Sequence, residues 1–521
     1  MNLRRLWEEK AARNGGRTFL VFGDDRISYA EMHVRSNGVA NALREHGIRK
    51  GDTVAVMLGN GAEFLYVWFG LAKLGAVMVP INTANRGDSL AYILHHSDSR
   101  LIFLDARHRA TIDAVRARVP GLEHLVEVPA ADASPAARAP FAAWVEGADR
   151  LKVDDELGDG DVMAINYTSG TTGPPKGAMI PHGMYPLVGA AYASWVDATP
   201  DSVIYTCLPL FHANAQGLST AGALAADCAL ALGDGFSATR FWDDCRRYGA
   251  HVFNYVGGMI PILMKQPPRP DDADNPVRIA WGAAAPRDIW RAFEERFGLT
   301  IVEGYGTTED SIPLTNLPAS CRMGSIGVPT HLAEVAVVDA EDRPLAAGQV
   351  GEIVVRPRVA YSMMLGYYKM PDETLRRARN LWWHSGDLGY TDPDGYFYFV
   401  DRAKDCIRRR GENISTFDLE KVVNRHPAVL ESAALGVPSD VGEEDVKIVV
   451  RCRPGTSVTA EDLVRFVEEE VPYFAVPRYV EFVDDFPKTP TERIRKHLLK
   501  EKPITDATWD RERAGYVLRR R

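Results

Sequence analysis

The run from Tyr167 to Gly177 concentrates groups that could bind a polyphosphate. Its eleven residues include four Ser or Thr hydroxyls, three glycines and one lysine. Hydroxyls and backbone N–H groups donate hydrogen bonds to phosphate oxygens, and Lys176 would supply a positive charge. Glycine lets the backbone approach an anion closely. The sequence therefore predicts a phosphate-binding loop with these candidate contacts: Thr168, Ser169, Gly170, Thr171, Thr172 and Lys176.

Neither a linker nor a Walker A loop fits this run as well. A flexible Ser/Gly linker is disfavoured, because the apolar run 162–165 before it is typical of a short buried strand. A Walker A loop needs Ser or Thr directly after its lysine, and Gly177 stands there instead. The run is therefore predicted to be a phosphate loop of another kind.

The elements that must position this loop follow an alternating pattern. Apolar runs at 18–22, 54–58, 77–81 and 101–104 predict buried strands, and helical patterns separate them. Such alternation favours a parallel, doubly wound α/β sheet. Two smaller features are a helix start capped by Ser28, with Glu31 three residues later, and a surface connection rich in Ala, Pro and Ser at 130–141.

The pattern changes in the last third of the chain. From about residue 330 shorter β segments with turn signals predict a small β-rich subdomain, and 405–500 follow a compact α+β pattern. We expect a large domain over 1–401, a hinge at 402–404 and a small α+β domain over 405–521. The basic segment from Arg511 to Arg521 is expected to be poorly ordered.

Bulk composition excludes several classes of protein. The chain has 521 residues, a net charge of −9 and a pI of about 5.9, which disfavour nucleic-acid binding. It has no run of about 18 apolar residues, so no membrane span is predicted, and no signal-peptide pattern opens it. The six cysteines form no C-x-x-C pair, which favours reduced thiols in a cytoplasmic protein over disulfides or zinc.

Further motifs carry groups that could bind a ligand, and three of them (208–212, 282–286 and 304–309) follow predicted strands, where ligands of open α/β sheets collect. The segment 304–309 offers an aromatic ring, hydroxyls and a carboxylate, and 385–387 offers a carboxylate that could accept from a vicinal diol. The small side chains of 282–286 would let a flat ligand lie against the backbone. The segment 208–212 ends a strand with a histidine.

Taken in chain order, these motifs resemble the AMP-forming adenylating superfamily, which includes acyl-CoA synthetases, aryl-CoA ligases, peptide-synthetase adenylation domains and luciferases. The resemblance covers nearly the whole chain. It implies that Tyr305 stacks on adenine, that Thr308 contacts phosphate and that Glu309 holds Mg²⁺, a cation that suits one carboxylate plus phosphate oxygens. Beside the phosphate loop, it assigns these residues to the nucleotide: Gly282, Ala283, Ala284, Glu303, Gly304, Tyr305, Gly306, Thr307, Asp387 and Arg402.

The resemblance also implies a mobile small domain. It rotates about a hinge, here Lys404, between an adenylating pose and a thioester-forming pose. In the second pose Gly411 would let the pantetheine arm of CoA pass, and Arg408 and Arg410 could meet CoA phosphates. A solvated basic face is the alternative for these arginines.

For the acyl group, His212 matches the family residue that lines the acyl tunnel near the carboxylate. The remaining acyl-pocket candidates are Asn214, Gln216, Tyr255, Gly257, Gly258, Trp281 and Ile312. The segment 254–259 is similar to the carnitine/crotonobetaine-CoA ligase branch, and its two glycines would leave room for a bulky acyl group.

One motif departs from the family pattern. The last loop of the family, Pro-x-x-x-x-Gly-Lys, corresponds to 487–493, with Glu492 at the glycine and Arg493 at the essential lysine. Arginine is wider and forked, so this exchange is not conservative, and loss of a preorganised donor costs about 10²- to 10³-fold in rate. The alternatives are that Arg493 substitutes tolerably or that Lys488 or Lys496 reaches the site.

The resemblance thus implies an acyl-CoA ligase that uses Mg²⁺, ATP or AMP, and CoA. Because thioester formation uses Gly411 rather than Arg493, we expect this step to survive while adenylation is weak or absent, and a separate enzyme would then supply the acyl-adenylate. The alternatives are a complete ligase for a carnitine-like or bulky natural-product acid, an adenylation domain that loads a carrier protein, and a nucleotide-binding pseudoenzyme. The oligomeric state is open, with a homodimer among the candidates. The catalytic candidates are His212, Thr308, Glu309, Gly411 and Arg493.

Overall fold

A computed structural model describes residues 1–129, 135–146, 151, 156–168, 175–402, 407–409, 412–414, 416–439, 444–471, 475–488 and 493–518. Its strands are β1 (Thr18–Phe22), β2 (Asp25–Ser28), β3 (Thr53–Met57), β4 (Val77–Pro80), β5 (Leu101–Asp105), β6 (His124–Val128), β7 (Val162–Thr168), β8 (Lys176–Pro181), β9 (Val203–Thr206), β10 (Ala229–Leu232), β11 (Val252–Val256), β12 (Ile279–Ala283), β13 (Thr300–Tyr305), β14 (Leu314–Thr315), β15 (Val328–Pro329), β16 (Ala333–Val338), β17 (Gly351–Pro357), β18 (Ala378–Arg379), β19 (Trp382–Thr391), β20 (Phe397–Arg402), β21 (Ile407–Arg409), β22 (Glu412–Ile414), β23 (Val429–Pro438), β24 (Glu444–Cys452), β25 (Tyr479–Phe482) and β26 (Trp509–Asp510).

The α-helices are α1 (Leu3–Asn14), α2 (Tyr29–Glu45), α3 (Ala62–Leu74), α4 (Gly87–His96), α5 (Arg109–Arg116), α6 (Pro135–Val145), α7 (Met184–Trp195), α8 (Ala221–Ala225), α9 (Phe241–Tyr248), α10 (Met259–Met264), α11 (Arg287–Phe297), α12 (Pro371–Arg377), α13 (Thr416–Val423), α14 (Ala460–Glu468) and α15 (Lys496–Lys500). Short 3₁₀ turns lie at Ala106–His108 and Pro318–Ser320, and Asn214–Thr220 is π-helical.

Two large sheets carry the candidate site. One has six strands in the order β6-β5-β3-β4-β7-β8, parallel except for the final antiparallel pair. The other has nine strands in the order β15-β14-β13-β12-β11-β9-β10-β1-β2, with a parallel centre from β13 to β1 and antiparallel edges. The predicted large domain of α/β sheets is therefore confirmed.

A common hydrophobic core joins the two sheets. Val54 of one sheet and Leu20 of the other belong to the same buried cluster as α3. Apart from Glu63, every residue of α3 is buried, and Phe69 stacks on Trp7 of α1 with ring centroids 4.5 Å apart. A helix that is apolar on all sides needs neighbours on all sides, which explains its position inside the large domain.

The predicted change after residue 330 is also confirmed. Strands β16 to β20 form a separate five-stranded sheet, and the smaller sheets β21-β22 and β23-β24-β25-β26 follow. Among the described strands, none of β1 to β20 pairs with any of β21 to β26. Across the predicted hinge, Asp401 accepts hydrogen bonds from the backbone N–H (2.6 Å) and the hydroxyl (2.9 Å) of Thr416, which begins α13.

Several local expectations can be compared with the structure. Ser28 caps α2, because its hydroxyl accepts from the backbone N–H of Glu31 at 3.1 Å. The five described cysteines are unpaired, as expected. Among the described residues no helix is both long and apolar enough to cross a membrane.

Two expectations are wrong. The predicted surface connection at 130–141 contains the start of α6, a helix that Pro135 can begin because its fixed φ suits a first turn. The segment from Arg511 was expected to be poorly ordered, but Arg511 is buried and donates to the carbonyl of Pro477. Tyr516 donates to Glu468 at 2.8 Å, so this end of the chain packs on the small domain.

Candidate active site

The ends of the predicted phosphate loop lie in paired strands. Thr168 at the end of β7 is directly opposite Lys176 at the start of β8, while residues 169–174 lie outside the described part of the chain. The ammonium of Lys176 donates to the carboxylate of Glu373 in α12 and lies 5.4 Å from the ring centroid of Tyr367. The lysine is therefore held at the mouth of the loop by a carboxylate that a phosphate could replace.

The residue predicted to hold Mg²⁺ is positioned by a tyrosine. The hydroxyl of Tyr367 donates to Oε1 of Glu309 at 2.7 Å, and Glu309 is half-buried beside the half-buried Thr308. Among the described residues no group of three or more acidic, His or Cys side chains could hold a metal. One carboxylate completed by phosphate oxygens and water is the arrangement that Mg²⁺ accepts, so the residues fit this ion.

The predicted nucleotide residues on three strands converge. The hydroxyl of Tyr305, at the end of β13, donates to Oδ2 of Asp387 in β19 at 2.7 Å. Asp387 and Arg402 are direct partners in the antiparallel pair of β19 and β20. Asp387 and Arg402, both assigned to the nucleotide by the family resemblance, are thus opposite each other in the backbone register of one strand pair, and Asp387 bonds the aromatic residue assigned to adenine.

The small-residue loop after β12 is held by hydrogen bonds to the buried carboxyl of Glu303. Its carboxyl accepts hydrogen bonds from the backbone N–H groups of Ala285 and Ala284. Ala283 and Ala284 are exposed, and Ala284 has a φ of 65°, in the left-handed region. Gly282 is required, since a Cβ there would lie 2.3 Å from the carbonyl oxygen of Tyr255. The loop offers a flat, open surface of the kind predicted for a ring-shaped ligand.

Burial of Glu303 predicts a pH-dependent stability. Desolvation raises the pKa of Glu303 to about 8, against the opposing effect of the hydrogen bonds. The folded chain therefore keeps this proton up to about pH 8, whereas the unfolded chain loses it near its ordinary value. The stability that the neutral carboxyl contributes is full below about pH 4.5 and is lost as the pH rises towards 8, by up to about 1.4 kcal/mol per pH unit.

We expect Glu303→Gln to flatten this dependence, because an amide keeps an acceptor oxygen and cannot ionise. The measurement is the midpoint of urea unfolding at pH 5, 6.5 and 8. Glu295→Gln, an exposed glutamate of α11, is the control and should keep the wild-type slope. If the urea midpoint changed equally with pH in Glu303→Gln and in the wild type, Glu303 could not be the group that causes the pH dependence.

A second buried carboxyl lies beside the predicted metal residue. Asp310 is 2% exposed, and its Oδ1 accepts from the backbone N–H of Thr307 at 2.6 Å. Burial, with the nearby charges of Glu309 and Asp387, raises the pKa of Asp310 to about 7. Asp310 thus holds the turn that carries Thr307, Thr308 and Glu309.

The acyl-pocket candidates divide into cleft residues and buried residues. His212 has an exposed surface, yet desolvation by the surrounding protein and, to a smaller extent, the positive charge of Arg493 together lower its pKa to about 4. Asn214, Gly257, Gly258 and Ile312 are half-buried or exposed. Gln216, Tyr255 and Trp281 are buried: Gln216 bonds Tyr185 and the carbonyl of Leu210, and Trp281 donates to Thr315 at 3.3 Å.

Arg493 lies next to a backbone bridge of the small domain. Lys488 and Ile494 form this antiparallel bridge, and the backbone N–H of Arg495 donates to the carbonyl of Pro487 at 2.7 Å. Arg493 is exposed, and its positive charge contributes to the lowered pKa of the His212 imidazole.

Most of the other small-domain candidates lie outside the part of the chain that the structure describes. Lys404, Arg410 and Gly411 lie outside the described residues, as does the side chain of Arg408. The neighbouring Arg409 is buried and pairs with Asp445 at 2.8 Å.

Sequence reasoning missed Tyr367, Glu373 and Asp310. Proline followed by Asp372 and Glu373 is a helix-start signal, and it marks the beginning of α12. It could have located Glu373 at a helix end, but nothing in the sequence pairs it with Lys176, 197 positions away.

Known proteins match the chain over almost its whole length. The model of the AMP-binding enzyme family matches residues 7–368, and that of the AMP-binding enzyme C-terminal domain matches 418–493. A crotonobetaine/carnitine-CoA ligase of Salmonella typhi is 34% identical over 518 residues, which cover 96% of this chain and 99% of the relative.

Two solved structures share the fold. The anthranilate CoA ligase AuaEII in complex with anthranoyl-AMP superposes with a TM-score of 0.85 at 25% identity, covering 96% of this chain and 97% of its own. ATP-bound MatB from Rhodopseudomonas palustris has a TM-score of 0.85 at 26% identity, covering 96% and 99%. The chain therefore belongs to the AMP-forming acyl-CoA ligases of the AMP-binding enzyme family.

Proposed function

We propose that this ligase forms acyl-CoA thioesters from acyl-adenylates and CoA, and that its ATP-dependent adenylation is weak or absent. The observation that carries the proposal is Arg493 at the position of the family's essential lysine, exposed and near enough to lower the pKa of His212. The cation next to this acyl-pocket candidate is thus a planar guanidinium instead of a compact ammonium.

The chemistry of adenylation explains why this matters. The lysine bridges the substrate carboxylate and the α-phosphate while charge shifts between them. Arginine cannot place a single point charge between two oxygens in the same narrow space, since its fork spreads the charge over a plane. Glu492 adds a negative charge next to Arg493 in the sequence, which disfavours the approach of a triphosphate.

The two nearby lysines are engaged elsewhere, which supports the proposal. Lys488 pairs with Glu431 at 2.9 Å. Lys496 pairs with Glu420 at 2.7 Å and donates to the hydroxyl of Thr416 at 2.8 Å. For either lysine to replace the missing one, it would have to leave these partners inside the small domain.

The nucleotide contacts favour survival of the second step. Tyr305, Asp387 and the loop held by Glu303 keep the arrangement that would bind AMP. Thiol attack on an acyl-adenylate needs positioning more than strong activation, because AMP leaves readily. When bound, Mg²⁺ would neutralise phosphate charge beside Glu309. A separate adenylating enzyme would supply the acyl-adenylate.

The second candidate is a complete ligase for a carnitine-like acid, and the full-length identity to a crotonobetaine/carnitine-CoA ligase favours it. One experiment separates the two. The protein receives a panel of acids with ATP, Mg²⁺ and labelled pyrophosphate, and separately receives synthetic acyl-adenylates with CoA. We expect thioester from at least one adenylate and little exchange with the parent acid. Robust exchange would support the complete ligase, and AMP binding without any thioester would support a pseudoenzyme.

We also expect Tyr305→Phe to weaken AMP binding by about 3- to 10-fold, because it removes a buried hydrogen bond that orients Asp387. Isothermal calorimetry with AMP measures this change. Tyr396→Phe is the matched control, since its hydroxyl bonds the carbonyl of Ser320 at the surface. An unchanged affinity in Tyr305→Phe would remove Tyr305 and Asp387 from the nucleotide site.

A further inference from the structure

Three hydrogen-bonded side chains run from the core to the acyl end of the cleft. The hydroxyl of Tyr192 in α7 donates to Oδ1 of Asn254 in β11 at 2.6 Å, and Nδ2 of Asn254 donates to Oδ1 of Asn214 at 3.1 Å. Tyr192 and Asn254 are fully buried, whereas Asn214 is half-buried. The chain of bonds therefore ends at the only one of its three members that a ligand can reach.

Burial of Tyr192 decides which way both amides point. If the side-chain amide of Asn254 were flipped, its NH₂ group would face Tyr192. The tyrosine hydroxyl would then have no acceptor within the described part of the fold, and a buried unsatisfied donor costs about 1–3 kcal/mol. Asn254 must therefore present its NH₂ group to Asn214. Asn214 must in turn accept with its oxygen, which directs its own NH₂ group away from the chain of bonds.

The NH₂ group of Asn214 has no hydrogen-bond acceptor among the described residues. Asn214 follows His212 by two positions and opens the π-helical segment Asn214–Thr220, an uncommon conformation that often marks functional sites. Its partner Asn254 lies on β11, whose following Gly257 packs closely against Ala284. The donor therefore lies next to two acyl-pocket candidates in the sequence, His212 and Gln216, and its partner's strand leads to two more, Gly257 and Gly258.

We infer that Asn214 selects acyl groups that carry a hydrogen-bond acceptor oxygen, such as a ketone, hydroxyl or amide oxygen, over plain hydrocarbon acyl groups. The inference rests on the proposed function only in assigning this cleft to the acyl group. A hydrocarbon chain would cover the NH₂ group without replacing its water. A trimethylammonium group would meet the positive ends of the N–H bonds, so a cationic acid is disfavoured.

Binding measurements test this inference without any turnover. The probes are acyl-sulfamoyl-adenosines, which imitate acyl-adenylates but do not react: the hexanoyl compound, its 3-, 4- and 5-oxo analogues, and a 4-(trimethylammonio)butanoyl compound. We expect at least one oxo probe to bind the wild type about 10-fold more tightly than the hexanoyl probe. In Asn214→Leu this preference should disappear, while the hexanoyl probe still binds.

Two tyrosine variants separate the orienting chain of bonds from general effects of hydroxyl loss. Tyr192→Phe frees the amide of Asn254 to reverse and should reduce the preference by about threefold or more. Tyr185→Phe is the matched control, because this buried hydroxyl of the same helix bonds Gln216 at 2.9 Å instead. It should keep the wild-type preference.

Three results would overturn the inference. The preference for an oxo probe could persist in Asn214→Leu, or the wild type could bind the hexanoyl or the trimethylammonium probe most tightly. The third such result is a wild-type protein that binds AMP but none of the acyl probes. None of them depends on pyrophosphate exchange or thioester formation. Failure of this inference is therefore distinguishable from failure of the proposed function.

Discussion

Replacing Arg493 by lysine is expected to raise ATP–pyrophosphate exchange by about 10²- to 10³-fold, the range that separates sites with and without one preorganised donor. Since backbone bonds join Lys488 to Ile494 and Pro487 to Arg495, the substitution should change the side chain without moving the backbone beside it. Lysine at this position restores a compact charge that can lie between a carboxylate and the α-phosphate. The measurement uses the acid whose adenylate gives the fastest thioester formation.

Arg495→Lys controls for the general exchange of arginine for lysine. Arg495 is also exposed and lies two positions further along the same segment, so this variant should show no gain. The double variant Glu492→Gly with Arg493→Lys should exceed the single one, because it also removes a negative charge and restores backbone freedom. An Arg493→Lys enzyme that binds ATP yet gains no exchange would contradict the role assigned to this loop.

Strands of the two large sheets were predictable because a buried parallel strand is a continuous apolar run. Thr18–Phe22 has the predicted bounds, and Leu101–Asp105 extends the predicted run 101–104 by one residue. The family resemblance predicted that Asp387 and Arg402 act together, and the strand register pairs them directly.

Other features depend on packing that one sequence does not display. Lys176 meets Glu373 and Asn214 meets Asn254 only after distant segments fold together. The segment 130–141 predicts a connection because it is rich in Ala, Pro and Ser, although alanine favours helices and Pro135 stands at a permitted first position of α6. The segment from Arg511 predicts poor order because it is basic, whereas Arg511 is buried and donates to a backbone carbonyl.

The substitution Gly306→Ala is expected to abolish nucleotide binding and thioester formation, with a loss of at least about 100-fold. A Cβ at this position would lie 1.6 Å from the carbonyl oxygen of Ser311 and 2.7 Å from its carbonyl carbon. Backbone atoms cannot rotate away, so the turn through Asp310 and Ser311 must shift. Displacing reacting groups by about 1 Å can cost 10²-fold in rate, and this turn carries Thr308 and Glu309.

The measurements are calorimetry with AMP and thioester formation from a synthetic acyl-adenylate, with a melting curve to record any loss of folding. Overpacking costs about 1–3 kcal/mol, so the variant should fold with a lower melting temperature. Gly235→Ala is the matched control, because its added Cβ would meet nothing within 4 Å and should change neither quantity. If Gly306→Ala kept full AMP affinity, the turn at 306–311 could not be part of the nucleotide site. The hydrogen bond between Tyr305 and Asp387 would then serve only to join the nine-stranded sheet to the five-stranded sheet.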